Sequence, residues 1–295
     1  MSAMLKKSVA WFLIALVAGC ARASVMQDRP GVAPSTETSG DSSAVISSLN
    51  VGPLPPPEIP TTERLDYQVS WWGIPVALAT VTSSPVSDPA DIEKLVKDGF
   101  QPKTLMKLDC QARTTAYLEP LFPIRVRLTS FLDPESRNPR RFETFVRQRF
   151  RKHESVEIFH PEKGEAFHQL PKGRSKTVPI GPTTQDALSL VYYVRTVPFQ
   201  VGQEVPIEVS AEGQNWHVNG KIIRTGAVQI RKMKRWPAVA GWGELDYPIP
   251  FFQGAKAVVW FSANPERIPL LAKINSRLGP ISIVLTRRTA GNQRE

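Results

Sequence analysis

The segment Ile124-Arg125-Val126-Arg127-Leu128-Thr129-Ser130-Phe131-Leu132 alternates between apolar and polar residues. A period of two belongs to a strand with one covered and one solvated face. Asp133-Pro134-Glu135-Ser136-Arg137-Asn138-Pro139 is rich in turn formers and reverses the chain. Arg141 to Phe150 then returns as the second arm of a hairpin. On that arm Phe142, Thr144, Val146 and Phe150 share one face. Glu143, Phe145, Arg147, Arg149 and Arg151 share the other. A lone hairpin is marginal in water, so this pattern commits the chain to a larger sheet.

Similar strand signals recur on both sides. Tyr67-Gln68-Val69-Ser70-Trp71 alternates, and Ile74 to Val81 is β-friendly with a break near Gly73 or Pro75. Leu105 to Ala116 alternates as well. A second hairpin is expected from Val156-Glu157-Ile158-Phe159, the turn Pro161-Glu162-Lys163-Gly164, and Ala166-Phe167. Further strands are expected over 205–209, 216–218, 221–224, 226–233, 255–262, 267–274 and 281–287. Two helices interrupt the pattern. Ile92, Leu95 and Val96 have helical spacing behind a possible Asp88 cap. A longer helix is expected to start at Thr183 or Thr184, where Thr183-x-x-Asp186 resembles a capping box. Its apolar stripe is Ala187, Leu188, Leu190, Val191 and Val194, and Pro198 ends it.

The N-terminus reads differently. Lys6 and Lys7, the apolar run Val9 to Val17, and small residues after it make a secretory signal over residues 1–19. The run is shorter than the roughly 20 apolar residues that a spanning helix needs. Leu16-Val17-Ala18-Gly19-Cys20 resembles a bacterial lipoprotein lipobox. The resemblance implies that Cys20 is acylated and becomes the mature N-terminus, so that a lipid anchor makes the membrane a partner. Ala21 is not the Asp associated with inner-membrane retention, which favours the outer membrane, facing the periplasm. The alternative is an ordinary signal peptide with an incidental cysteine. Residues 20–62 hold a Ser-rich stretch and the run Pro53-Leu54-Pro55-Pro56-Pro57, with few apolar residues. They are expected to form a flexible tether of roughly 35 Å as a coil.

Charge and cysteine content narrow the function. The chain carries 37 Lys and Arg against 27 Asp and Glu, a net charge of +10. Without residues 1–19, which hold two lysines and no acid, the balance is 35 against 27, or +8. An exported protein does not meet nucleic acid, so the counterparts to weigh are anionic envelope lipids and acidic polymers. With Cys20 acylated, Cys110 is the one thiol left, and the core alone must hold the domain. Cys110 is expected to be a buried small hydrophobe.

No catalytic signature is present: no Gly-x-Ser-x-Gly, His-Glu-x-x-His, Cys-x-x-Cys or phosphate loop. His153, His160 and His168 are spaced too widely for a typical zinc pair. No metal, cofactor or catalytic residue is therefore assigned. Arg125, Arg127, Arg147, Arg149 and Arg151 are the candidate anion-binding residues. Like charges facing each other across strands are unfavourable unless something anionic intervenes. Either Glu143, Glu154 and Glu157 neutralise them, or a phosphate or acidic polymer does. Arg231-Lys232-Met233-Lys234-Arg235-Trp236 is a second basic cluster, ending in an aromatic suited to a membrane interface. Trp71, Trp72, Phe131, Phe142, Phe150, Tyr192, Trp216, Trp242, Phe251, Phe252 and Trp260 are expected to line one concave sheet surface, which either holds an acyl chain or packs on the helix, with packing the preferred reading.

Three stretches carry a family resemblance. Leu65-Asp66-Tyr67-Gln68-Val69-Ser70-Trp71-Trp72-Gly73-Ile74-Pro75-Val76-Ala77 is similar to the opening of the bacterial domain-of-unknown-function 3108 family. Thr184-Gln185-Asp186-Ala187-Leu188-Ser189-Leu190-Val191-Tyr192-Tyr193-Val194-Arg195 resembles its central helix. Val258-Val259-Trp260-Phe261-Ser262 with Arg267-Ile268-Pro269, and Leu278-Gly279-Pro280-Ile281, resemble its closing strands. The resemblance implies no activity and no catalytic residue.

The expectation is a single domain over 63–290, mainly antiparallel β: a curved sheet or partly open β-barrel with one packed helix. Its expected role is non-enzymatic: an envelope binding or assembly lipoprotein whose ligand is anionic or lipidic and sits on the concave face. The alternative is an interaction lipoprotein that docks a protein partner or acidic polymer through its basic strand, and an undetected hydrolase ranks last. A lipid carrier requires an apolar cavity of several hundred Å³, whereas a docking module has a filled core.

Overall fold

The computed structural model describes residues 44–50, 54–169, 173–230, 235–245, 256–276, 279–290 and 293–294. Cys20, the signal segment, Arg231 to Lys234, Phe251 and Phe252 lie outside the described residues. So does the side chain of Trp242.

The chain opens with β1 (Ala44–Ser47), β2 (Glu63–Trp71) and β3 (Ile74–Pro85), followed by helix α1 (Pro89–Lys97). Six strands come next: β4 (Met106–Thr114), β5 (Ile124–Leu132), β6 (Pro139–Gln148), β7 (Arg151–His160), β8 (Glu165–Gln169) and β9 (Ser175–Pro179). Helix α2 (Ser189–Val194) leads to β10 (Glu204–Ala211), β11 (Gln214–Ile230), β12 (Arg235–Leu245) and β13 (Lys256–Ser262). The last strands are β14 (Pro269–Ser276), β15 (Gly279–Ala290) and β16 (Gln293–Arg294). The expected hairpins and both helices are present, and the pieces read over 216–230 fuse into one strand of 17 residues.

One antiparallel sheet contains all the strands among the described residues, in the order β9-β8-β7-β6-β5-β4-β3-β2-β15-β14-β13-β12-β11. β10 and β1 lie along the same edge of β11, one after the other. The sheet curls until β10 approaches β9 but the ladder does not close. A single parallel bridge between Gln185 and Val209 spans the gap, with Gln185 N–H donating to the Glu208 carbonyl at 2.9 Å. Side chains complete the seam. Lys176 Nζ donates to the Gly213 carbonyl at 2.8 Å, and Gly213 N–H donates to Glu157 at 2.7 Å. The partly open barrel expected from the strand pattern is the observed architecture.

Three local expectations change. The helix starts at Ser189, not at Thr183 or Thr184. The capping box is shifted by three residues: Asp186 Oδ1 accepts from the Leu188 and Ser189 N–H groups, and Asp186 N–H donates to Ser189 Oγ. Thr184 instead bonds the Gly181 carbonyl and Glu208. The second change concerns the tether. Ala44–Ser47 pairs with β11 and buries Ile46, while Glu58 N–H reaches the Pro265 carbonyl at 2.8 Å. The C-terminal part of the 20–62 segment is thus built onto the barrel. Thirdly, the strand from Arg141 stops at Gln148, and Arg149-Phe150 is a tight turn.

The core fills the barrel. Leu188, Leu190 and Tyr192 of the α2 segment pack against inward residues such as Leu108, Val126, Phe142, Val209 and Trp216. At fully buried leucines each side chain contributes roughly 1.5–3 kcal/mol. Arg195 and Glu63, both fully buried, pin the end of α2 to the start of β2.

Candidate functional site

The interior leaves little room for a ligand. A cavity of about 130 Å³ lies between α2 and the strands, lined by Leu65, Tyr67, Val81, Cys110, Leu188, Tyr192, Leu271, Ile283 and Arg195 among others. Drug-sized ligand sites begin at about 300 Å³. A dry apolar cavity of roughly 150 Å³ takes benzene. The one charged lining group is already committed. Arg195 donates to both Glu63 oxygens and, through Nη2, to the Glu266 carbonyl at 2.9 Å. Cys110 is fully buried and its thiol is pushed up to about 12 by that burial, so it serves as a small hydrophobe. Asp186 is equally enclosed. Burial raises its carboxyl to about 6, against hydrogen bonds from Ser130, Ser189 and Leu188 that act the other way. Among the described residues this cavity is too small to hold an acyl chain.

The aromatic residues expected on that face are divided. Phe142, Tyr192 and Trp216 are inside, Trp260 is buried in a separate cluster with Trp236, and Phe131 is buried under α1 on the outer face. Trp71, Trp72 and Phe150 are exposed at one end of the barrel. Trp236, expected at a membrane interface, is a core residue packed with Trp260 and Ile230.

The outer face of β4 to β7 carries the chemistry. Register places its side chains in rows across the four strands. At one end stand Lys107, Phe131, Arg141 and Ile158. Helix α1 covers this end, because Leu95 packs on Leu105 and Phe131. The helix also supplies acid. Asp91 accepts from Lys107 at 2.5 Å and Lys94 at 3.2 Å, and Asp98 takes Arg141. Burial by itself would raise the Asp91 carboxyl, but the two lysines outweigh it and hold it below the usual carboxylate range.

At the other end the row is Arg113, Arg125, Arg147 and Lys152, each directly opposite the next. All four are exposed. Opposed side chains stand about 4.5–5.5 Å apart at Cβ, so each like-charged pair is unfavourable. Arg125 has Glu119 at 3.1 Å and Lys152 has Glu154 at 2.8 Å. Exposed pairs of this type contribute roughly 0–1 kcal/mol. Arg113 and Arg147 make no ion pair among the described residues.

The carboxylates expected to neutralise this strand mostly act elsewhere. Glu143 pairs with Arg141 and Lys94. Glu157 is buried beside His168 at 2.9 Å. Only Glu154 remains near the row.

The five candidate arginines thus fall into four environments. Arg125 and Arg147 stand in the row. Arg127 is held by Asp109 at 2.8 Å, one row away. Arg149 sits in the β6–β7 turn with a left-handed backbone, φ 48°. Arg151 pairs with Gln148, in register with Ile124, and so lies on the opposite face from Arg147. The single-face grouping fails because the turn at 149–150 resets the alternation. Arg113 and Lys152 were missed. The parity of the Leu105–Ala116 run carries the signal for Arg113, since Lys107, Asp109, Gln111 and Arg113 share a face. Lys152 emerges only once the turn is known.

A family model matches residues 66–286, from within β2 to within β15. The chain belongs to the family described as protein of unknown function (DUF3108). No curated protein matches it. Among solved structures, the DUF3108 chain is similar to a beta-barrel-like protein of domain of unknown function DUF1849 from Brucella abortus, with a TM-score of 0.52 and 9% identity. The alignment covers 80% of this chain and 100% of that one. At such identity the likeness concerns the fold alone, and it agrees with the curled sheet.

Proposed function

We propose that this DUF3108 protein is a non-enzymatic lipoprotein of the cell envelope that binds an anionic envelope component on the outside of its barrel. Cys20 carries the acyl anchor, and the domain faces the periplasm from the outer membrane. The supporting observation is the row Arg113-Arg125-Arg147-Lys152, four opposed cations on adjacent strands with weak internal compensation. A fold that needed only solubility would scatter these charges. Aligning them raises the potential at one place, which an anion lowers.

Each arginine near an anionic surface contributes about 1 kcal/mol. Replacing Arg113, Arg125 and Arg147 together with alanine then weakens binding about 100-fold, at 1.4 kcal/mol per tenfold. The probe is inorganic polyphosphate, titrated against the full chain at low and high salt. Salt-sensitive binding that the triple variant loses supports the reading. Equal binding by both proteins sinks it.

A further inference from the structure

The hairpin ends beside the basic row form a continuous rim. Three connections meet there: the β2–β3 turn, the β4–β5 loop and the β6–β7 turn. Backbone hydrogen bonds link them. Thr115 N–H donates to the Val76 carbonyl at 3.0 Å, and Arg149 N–H donates to the Pro123 carbonyl at 3.1 Å. On the other side Trp72 N–H reaches the Pro280 carbonyl at 3.0 Å.

This rim is unusually greasy for a solvated edge. Phe150 is 95% exposed, Leu121 65% and Trp72 64%. Tyr117, Ile74 and Phe122 add to it. Every large aromatic exposed among the described residues belongs to this rim. A clustered apolar patch of this kind marks an interaction site, where scattered single residues do not. Two turn tips also place bulky residues in left-handed backbone, Trp72 at φ 52° and Arg149 at φ 48°. Glycine or asparagine would sit there at less cost.

We infer that the rim inserts into the interfacial layer of an anionic lipid bilayer, with the Arg113-Arg125-Arg147-Lys152 row behind it facing the lipid phosphates. This rests on the anion-binding reading and names the occupant. Charge complementarity selects a membrane: aromatic tips suit the interfacial zone, and adjacent cations suit its headgroups. An acidic polymer would use the cations but leave the tips in water.

The anchor geometry permits this pose. β1 enters at the end of the barrel opposite the rim, since Ala44 pairs with Ile230. Residues 21–43 intervene between Cys20 and β1, and such a segment reaches about 75 Å when extended. A nine-residue strand is roughly 30 Å long. The domain can therefore fold back and place its rim on the bilayer that holds its anchor.

The test uses the acylated full chain reconstituted into vesicles of phosphatidylcholine, with or without phosphatidylglycerol. Cys110 is buried, so a single introduced cysteine takes a fluorescent label. One version carries Ala116→Cys in the rim loop. The other carries Glu135→Cys in the β5–β6 turn at the far end. Nitroxide-bearing lipids should quench the label at 116 several-fold more than that at 135, and only with phosphatidylglycerol present. Adding Phe122→Ser with Phe150→Ser should abolish the difference while the melting temperature stays unchanged. Equal quenching at both sites, or none at either, overturns the inference. If polyphosphate binding still depends on the arginine row in that case, the anion-binding reading survives and the occupant is a polymer or an acidic protein. If that dependence is also absent, both readings fall.

Discussion

The two ends of the same four strands solve one problem in opposite ways. Both ends of β4 to β7 present cations on the outer face. Where α1 lies, Lys107 and Arg141 are each met by a carboxylate, Asp91 and Asp98, and the apolar floor is sealed by Leu95. Some 20 Å along the strands, at about 3.3 Å per residue, Arg113 and Arg147 face like charges with no such cover. Proteins rarely leave opposed like charges without a reason. The first end is therefore part of the folding machinery, and the second is where the proposal above seats an anion from outside the chain.

The largest effect expected from disturbing this contrast is at the covered end. Asp91→Asn removes two charge-assisted hydrogen bonds from a nearly buried group and should cost about 1–3 kcal/mol, read by urea unfolding at neutral pH. The Asp91 carboxyl is depressed in the folded state, so its contribution is present above the unfolded value of about 3.9 and is lost as pH falls through the folded value. Wild type should lose stability along that acid limb faster than Asp91→Asn does. Parallel curves would remove Asp91 from the account.

The smallest effect is at the bare end. Arg147→Ala relieves two like-charge contacts and should leave the protein unchanged or more stable by about 0.2–1 kcal/mol. A loss above that size would mean that Arg147 serves the fold, and the contrast between the ends would collapse.

Much of the barrel was legible because period two is a local signal. The hairpins over 124–150 and 156–167 needed only alternation and turn formers, and Asp88 capped its helix as its position implied, accepting from Ala90 N–H at 2.9 Å. The candidate site was less legible. Arg125 and Arg147 were visible as charges, but their alignment with Arg113 and Lys152 depends on register across three hairpins. The decisive β6–β7 turn holds Arg149 and Phe150, and neither residue announces a turn. The division of the aromatics was hidden too. Phe131 and Phe142 look alike in sequence, yet they lie on opposite faces, one under α1 and one in the lumen. The filled interior followed from tertiary packing of α2, which no local pattern reports.

The central claim is that the bare end, and not the covered one, meets an anionic membrane. Hydrogen–deuterium exchange of the acylated full chain on phosphatidylglycerol-containing vesicles, against the same chain on phosphatidylcholine alone, compares both ends in one measurement. Slower exchange confined to the segments around Tyr117 to Phe122 and Gln148 to Lys152, with α1 unchanged, is the predicted result. Protection centred on Pro89–Lys97, or no difference between the two vesicle types, would contradict it.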